Sequence, residues 1–235
     1  ATTVTLSIWR ESETSIKEFT VEREIIKVPS VEGMMLKKNK DIAYLSITQF
    51  GEQTGAELKK VLEELEPQGI KGIILDLRNN GGGLLPTALE VASQFIPKGP
   101  IVHIVDKNRT ETFEAPGGNL NIPLVVLVNK GSASASEIVS GAIKDTKAGV
   151  LVGETTFGKG LVQTVFPLSG GAAVKLTTAK YLTPDKIDIN KTGIKPNIIV
   201  ELPRELEREI MLSSPNEQKD PQLLKAIEVL RKQID

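Results

Sequence analysis

No cysteine occurs in the 235 residues, which excludes disulfides, thiolate zinc sites and cysteine nucleophiles together. Histidine is scarce as well. The single one, His103, alternates with apolar residues in GPIVHIVDK, which predicts a strand position without catalytic duty; with no second imidazole, a histidine metal cluster has no ligands. Aromatic residues make up 4%, too few for a base-stacking platform, so the core has to be built from Ile, Leu, Val and Ala. Charge is balanced: 29 basic residues against 30 acidic ones give a net charge of −1, and no broad electrostatic surface for nucleic acid or an anionic membrane is expected. Apolar runs are short. IPLVVLV at 122–128 falls far below the ~20 residues of a bilayer span, so the chain is not expected to be transmembrane, and no basic-then-apolar leader opens it.

What is present is a 40% hydrophobic chain, long enough for one large domain. The first thirty residues read as two alternating strands around a polar turn, with Val4, Leu6 and Ile8, then Phe19 and Val21, on single faces. A hairpin of that size is not independently stable, so it reads as the end of a larger unit. From residue 42 the pattern becomes strand then helix, three times over. IAYLSI precedes the helix TGAELKKVLEEL, with a Thr54/Glu57 capping box; GIILDL precedes PTALEVASQF, with Pro86 in its first turn; PLVVLV precedes SASEIVSGAIKD. Strands apolar at every position, alternating with helices, predict an α/β fold with a mainly parallel, buried sheet. Strands return from residue 150 (VLVGE, LVQTVFPL, AAVKLTTAKYL, IKPNIIVEL), and an amphipathic helix bearing Leu223, Leu224, Ile227 and Leu230 ends the chain.

Three Gly- or Ser-rich corners could carry chemistry: DLRNNGGGLL at 76–85, NKGSASASEI at 129–138 and GETTFGKG at 153–160. The first two follow buried strands and precede helices, where open α/β sheets place ligands and where unpaired backbone N–H groups suit an anion or oxyanion. The third has the spacing of a phosphate-binding P-loop, yet position 160 is Gly where Ser or Thr is needed for Mg²⁺, and the alternating LVQTVFPL after it predicts a strand, not a helix. A nucleotide-dependent enzyme is thereby disfavoured, and Lys159 needs another role.

Ser132, Ser134 and Ser136 straddle a helix start among small neighbours. Without cysteine or a well-placed histidine, an activated serine here requires a lysine base. A solvated lysine, with pKa ~10.4, is neutral in only about one molecule in a thousand near pH 7.4; a base needs ~7–8, a difference of roughly 4 kcal/mol. Lys159 is therefore expected away from bulk water and away from carboxylates, with Glu154 the nearest threat in sequence.

LDLRNNGGGLL, LVNKGSASASEIVSGAIKD, LVGETTFGKGLVQTVFPL, LTTAKYLTPDKIDINKTGIKPNI and DPQLLKAIEVLR, in this order, resemble the C-terminal processing peptidases, Ser–Lys serine endoproteases on a ClpP/crotonase-like core. The GGG form is more similar to the photosynthetic members that trim the photosystem II reaction-centre precursor. The resemblance implies Ser134 as nucleophile, Lys159 as base and Gln163 as its support; four apart, Lys159 and Gln163 would share one face of a strand. It implies an oxyanion hole from the amide of Ala135 and a loop glycine, Gly81 or Gly82. It further implies protein or peptide substrates with accessible C-termini, no metal or organic cofactor, an extracytoplasmic location, and self-association as an option. Residues 1–28 would be the last strands of a PDZ domain and 29–235 the protease core, with C-terminal strands and helix. A non-catalytic ligand- or peptide-binding module on the same core is the competing expectation.

Overall fold

The computed structural model describes every residue except Ala1, Lys27, Gly118, Asn119, Ser213, Ser214 and Asp235, and leaves out the side chains of Arg204, Arg208, Met211 and Leu212. In chain order the elements are β1 (Thr3–Ile8), β2 (Lys17–Glu22), β3 (Val31–Met35), β4 (Ile42–Ile47), α1 (Thr54–Leu65), β5 (Gly72–Asp76), α2 (Leu85–Phe95), β6 (Gly99–Val105), β7 (Thr110–Ala115), β8 (Leu124–Val128), α3 (Ala135–Asp145), β9 (Val150–Gly153), β10 (Leu161–Pro167), β11 (Ala173–Leu182), β12 (Ile198–Ile199), α4 (Arg204–Leu212) and α5 (Pro221–Ile234). The α/β fold class follows the sequence reading. The central sheet has the order β12-β9-β8-β5-β4-β3, parallel from β12 to β4, with β3 antiparallel at the edge.

Alternation within the buried strands explains the two packed faces. Ile73 and Leu75 of β5 point into the core beneath α1, α2 and α3, whereas Ile74 between them points into the layer closed by Leu223, Ala226, Ile227 and Leu230 of α5. Leu224 faces outward, 43% exposed, so the apolar stripe of α5 is narrower than its sequence suggests. An Asp220 cap fixes the helix start: its Oδ1 accepts the N–H groups of Gln222 and Leu223, both at 3.0 Å. The other Asp220 oxygen lies 2.8 Å from Arg78, whose guanidinium also meets Asp76 at 2.6 Å. Burial opposes the Arg78 charge, but the two carboxylates outweigh it and hold the group firmly protonated. The residue after β5 is thus tied to the far helix.

The capping box expected at Thr54 and Glu57 is not formed. Gln53 occupies the N-cap position, without a side-chain cap bond. Thr54 is one residue inside the helix and bonds to Ser30 Oγ at 2.6 Å, while Glu57 accepts the Ser30 N–H at 2.7 Å and its hydroxyl at 2.6 Å. Tertiary competition for the Glu57 carboxylate replaced the local cap and anchored the start of β3, a strand not foreseen from sequence. The Ser30 hydroxyl, and then backbone N–H groups of Ser30 and Val31, hold Glu57 below the ordinary carboxylate range. A depressed pKa stabilises the fold above the unfolded value and loses that contribution as pH falls. Glu57→Gln is therefore expected to lower Tm at pH 7 by about 2–4 °C, the effect of one hydrogen bond in a chain of this size, with the difference shrinking in thermal scans as pH falls through the depressed Glu57 pKa.

A second sheet, all antiparallel, has the order β10-β11-β6-β7. His103 sits in β6 as expected, 7% exposed, its ring bonded to Thr112 Oγ1 at 2.8 Å and the Pro184 carbonyl at 3.1 Å. The β1–β2 hairpin pairs only with itself. No described helix is long and apolar enough to cross a membrane.

Candidate active site

Strands β5, β8 and β9 are adjacent and parallel, so the three glycine- and serine-rich corners leave the sheet at the same edge. Asn129 joins the first two: its Oδ1 accepts the N–H of Asn79 at 2.9 Å and of Gly131 at 3.0 Å, and its amide donates to Asn79 Oδ1 at 2.9 Å. Asn80 adds a further tie, its carbonyl accepting from Ala133 N–H at 3.0 Å and from the Ser136 hydroxyl at 2.8 Å.

These bonds separate the three serines. Ser132 and Ser136 are fully buried, with hydroxyls committed to the carbonyls of Leu77 and Asn80. Ser134 is half-buried and borders an open cleft of about 270 Å³, which also touches Ala135, Lys159 and Gln163. It holds φ 56°, ψ −114°, a conformation rare outside glycine, at the N-cap of α3. Among the described residues, the N–H of Ala135 beside it has no hydrogen-bond acceptor. A larger cavity, about 500 Å³, is bounded by Tyr44, Asp76, Arg78 and Leu202, and Ser134 and Lys159 do not line it.

The GETTFGKG corner runs into β10, so the helix a P-loop requires is absent there. Both glycines beside Lys159 have a packing reason. Gly158 has φ 89°, and a Cβ there would meet Gly193 N at 2.8 Å; a Cβ on Gly160 would meet Asn190 N at 2.8 Å. Glu154 is turned away, ion-paired to Lys130 at 3.1 Å and accepting the Leu202 N–H at 3.1 Å. Lys159 is half-buried and precedes β10 instead of lying on it, and a bulge at Val162/Gln163 interrupts the alternation. Both side chains still border the cleft, although Gln163 is exposed.

Two residues that the sequence reading passed over hold this geometry. Glu137, 1% exposed, uses Oε2 to accept the backbone N–H of Ser134 and of Lys159, each at 2.9 Å. Its Oε1 accepts the Gly158 N–H at 2.7 Å and the Thr156 hydroxyl at 2.6 Å. Tyr181, from the second sheet, directs its hydroxyl at the carbonyls of Lys159 and of Ser134, the latter at 3.3 Å. Burial, and then the Glu137 charge, push the phenol well above its usual range, so it stays a donor. Glu137 stands at Ser134 + 3, the S-x-x-E signature of a capping box, and was in principle legible. Tyr181 carried no local signal.

Of the two candidate glycines, Gly82 packs on the serine. With φ 98°, its hypothetical Cβ would meet Ala133 O at 2.6 Å, Ser134 Cβ at 2.8 Å and Ala135 N at 2.9 Å, whereas a Cβ on Gly81 would meet nothing within 4 Å. The Gly82 N–H is donated to Asn80 Oδ1 at 2.8 Å. Gly82→Ala, strained in backbone and in space, is expected to destabilise the fold by about 1–3 kcal/mol in thermal scans. Gly81→Ala should stay within about 0.5 kcal/mol of the parent in the same scans.

The cleft of this α/β protein joins a serine at a helix N-terminus to Lys159 and Lys175, the side-chain types that a serine hydrolase without histidine would need. The chain belongs to peptidase family S41, whose model matches residues 41–200. It is 43% identical over 206 residues to the carboxyl-terminal-processing protease of Synechocystis sp., covering 86% of this chain and 48% of that protein. To the chloroplastic C-terminal processing peptidase of Tetradesmus obliquus it is 44% identical over 172 residues, 71% of this chain and 37% of that protein. Among solved structures, a photosystem II D1 C-terminal processing protease superposes with a TM-score of 0.68 at 37% identity, covering 80% of this chain and 52% of the other. The chain thus spans about half the length, or less, of these relatives.

Proposed function

We propose that this chain is a serine endopeptidase that cleaves proteins near their C-termini, with Ser134 as nucleophile and Lys159 as base. The observation that carries the reading is the convergence of Ser134 and Lys159 on one cleft, their backbones clamped together by Glu137. A binding module would need neither side chain. Neutral Lys159 takes the proton of Ser134 Oγ as the oxygen bonds to the scissile carbonyl carbon. The developing oxyanion receives the unused Ala135 N–H and a second amide from the glycine loop. Gly82 can supply that amide once its N–H leaves Asn80; Gly81 is the other candidate. Collapse of the adduct breaks the C–N bond, Lys159 returns the proton to the leaving amine, and water hydrolyses the acyl-enzyme. Gln163, on the same cleft, orients the Lys159 amine.

Strand β10 is the outer strand of the second sheet, with one edge unpaired, and its first residues border the cleft. A substrate in extended conformation would add to that edge, reading alternate side chains. The hairpin β1–β2, with Leu6, Phe19 and Val21 exposed, is read as the closing strands of a PDZ domain, and an extracytoplasmic location accompanies the family reading. The test is incubation with an unstructured protein ending in small apolar residues, with products mapped by mass spectrometry. A cut close to the C-terminus, absent with Ser134→Ala, is expected; internal cutting or none would overturn the reading.

A further inference from the structure

The cleft that holds Ser134 and Lys159 contains a second lysine that the proposed reaction does not use. Lys175 lies on β11 and lines the same cleft, whereas neither Asp nor Glu lines it. Register places Lys175 opposite Val165 of β10, and Thr177 opposite Gln163. Directly opposed residues share a face, so Lys175 stands on the Gln163 side of the hairpin, two residues or about 7 Å further out. Lys180, five residues on, is neutralised by Asp188 at 3.0 Å. The Lys175 ammonium makes no ion pair or hydrogen bond to the described residues, while its backbone pairs with β10. From Ala173 to Ala179, β11 is paired only with β10, so this part of the hairpin stands clear of β6 as an arm beside the cleft.

An unpaired ammonium over a cleft free of acids favours a carboxylate on whatever binds there. We infer that Lys175 is a specificity-determining residue that pairs with a carboxylate of the bound substrate. This rests on the peptidase reading. Two carboxylate sources fit: the substrate's own C-terminus, which lies close to the bond in a chain cut near its end, or an acidic side chain flanking that bond. The aliphatic stem of Lys175 would cover apolar surface while its head meets the charge.

The test separates these sources and does not depend on turnover. Decapeptides ending in Ala are prepared as free acids and as C-terminal amides, each with Glu or Gln at a flanking position, and titrated calorimetrically into the Ser134→Ala chain with and without Lys175→Met. A loss of about fivefold in affinity on amidation, ~1 kcal/mol as for an exposed ion pair, erased by Lys175→Met and by 0.5 M salt, assigns the terminus. The same pattern for Glu against Gln assigns the side chain. Equal discrimination with and without Lys175, or uniform weakening of all four peptides by Lys175→Met, overturns the inference. Cleavage by the parent chain is scored separately: Ser134-dependent cutting without charge discrimination refutes Lys175 alone, and absence of cutting refutes the peptidase reading.

Discussion

Ser134→Ala and Lys159→Ala are each expected to lower kcat/KM by about 10⁴-fold or more, and the double variant by no more than either alone, because groups acting as one unit fail together. In the proposed mechanism nucleophile and base fail singly: without Lys159 the hydroxyl keeps its proton, and without Ser134 there is no oxygen to attack. Lys159→Arg should be equally inactive, since a guanidinium keeps positive charge but never becomes a base. Initial rates on a C-terminally labelled peptide, with melting curves to confirm folding, decide the matter. Losses that multiply in the double variant, or a Lys159→Arg enzyme at parental rate, would show that the two side chains do not form a dyad.

Glu137→Ala should be the most damaging substitution outside the dyad. The carboxylate is 1% exposed and receives three backbone N–H groups and one hydroxyl, from the three residues Thr156, Gly158 and Lys159 of one loop and from Ser134. Each donor left buried without an acceptor costs about 1–3 kcal/mol, and relaxation makes the sum smaller than four such terms, so a loss of roughly 4–5 kcal/mol is expected. That corresponds to a fall in Tm of about 10–15 °C for a chain of this size. Glu137→Gln keeps one oxygen and the shape, and should fold; with either Ser134 and Lys159 or Thr156 and Gly158 facing an NH₂ group, its kcat is expected to drop by about 100-fold while KM stays near the parental value. That split marks positioning, whereas a structural role alone would lower the active fraction without altering the kcat of folded enzyme, measured by active-site titration. A Glu137→Gln chain with parental kcat would remove Glu137 from the account.

The capping-box rule shows how close local reading came. Applied to Thr54 and Glu57 it failed, because Ser30, 27 residues from Glu57, offered that carboxylate two donors. Applied to Ser134 and Glu137 it would have found the hub of the site. Four apolar strands and the helices between them were legible because burial on both faces leaves an unbroken aliphatic run. Strands β3 and β7 were not, since VEGMM and TETFEA lack that run and owe their conformation to their partners β4 and β6. Helix α4 also passed unnoticed, and IKPNIIVEL, read as a strand, contributes only Ile198–Ile199 to the sheet.

The sequence by itself determined the exclusions, the α/β alternation and the requirement that a serine without a histidine turn to a lysine, since these depend on composition and on neighbours within a few residues. Its local patterns left three serines open, among which only the family resemblance pointed to Ser134, and it marked Glu154 as a danger to Lys159. Only the tertiary structure removed Ser132 and Ser136 by burying their hydroxyls against Leu77 and Asn80, and turned Glu154 toward Lys130. The physical reason is strand order. Placing β5, β8 and β9 side by side brings together loops up to about eighty residues apart in sequence, a proximity that no local pattern encodes. Pairing of β11 with β10 and β6 in the second sheet likewise brings Tyr181 and Lys175, ordinary residues in the sequence, to the cleft, while Glu137 ties the backbones of Ser134 and Lys159 without lining it.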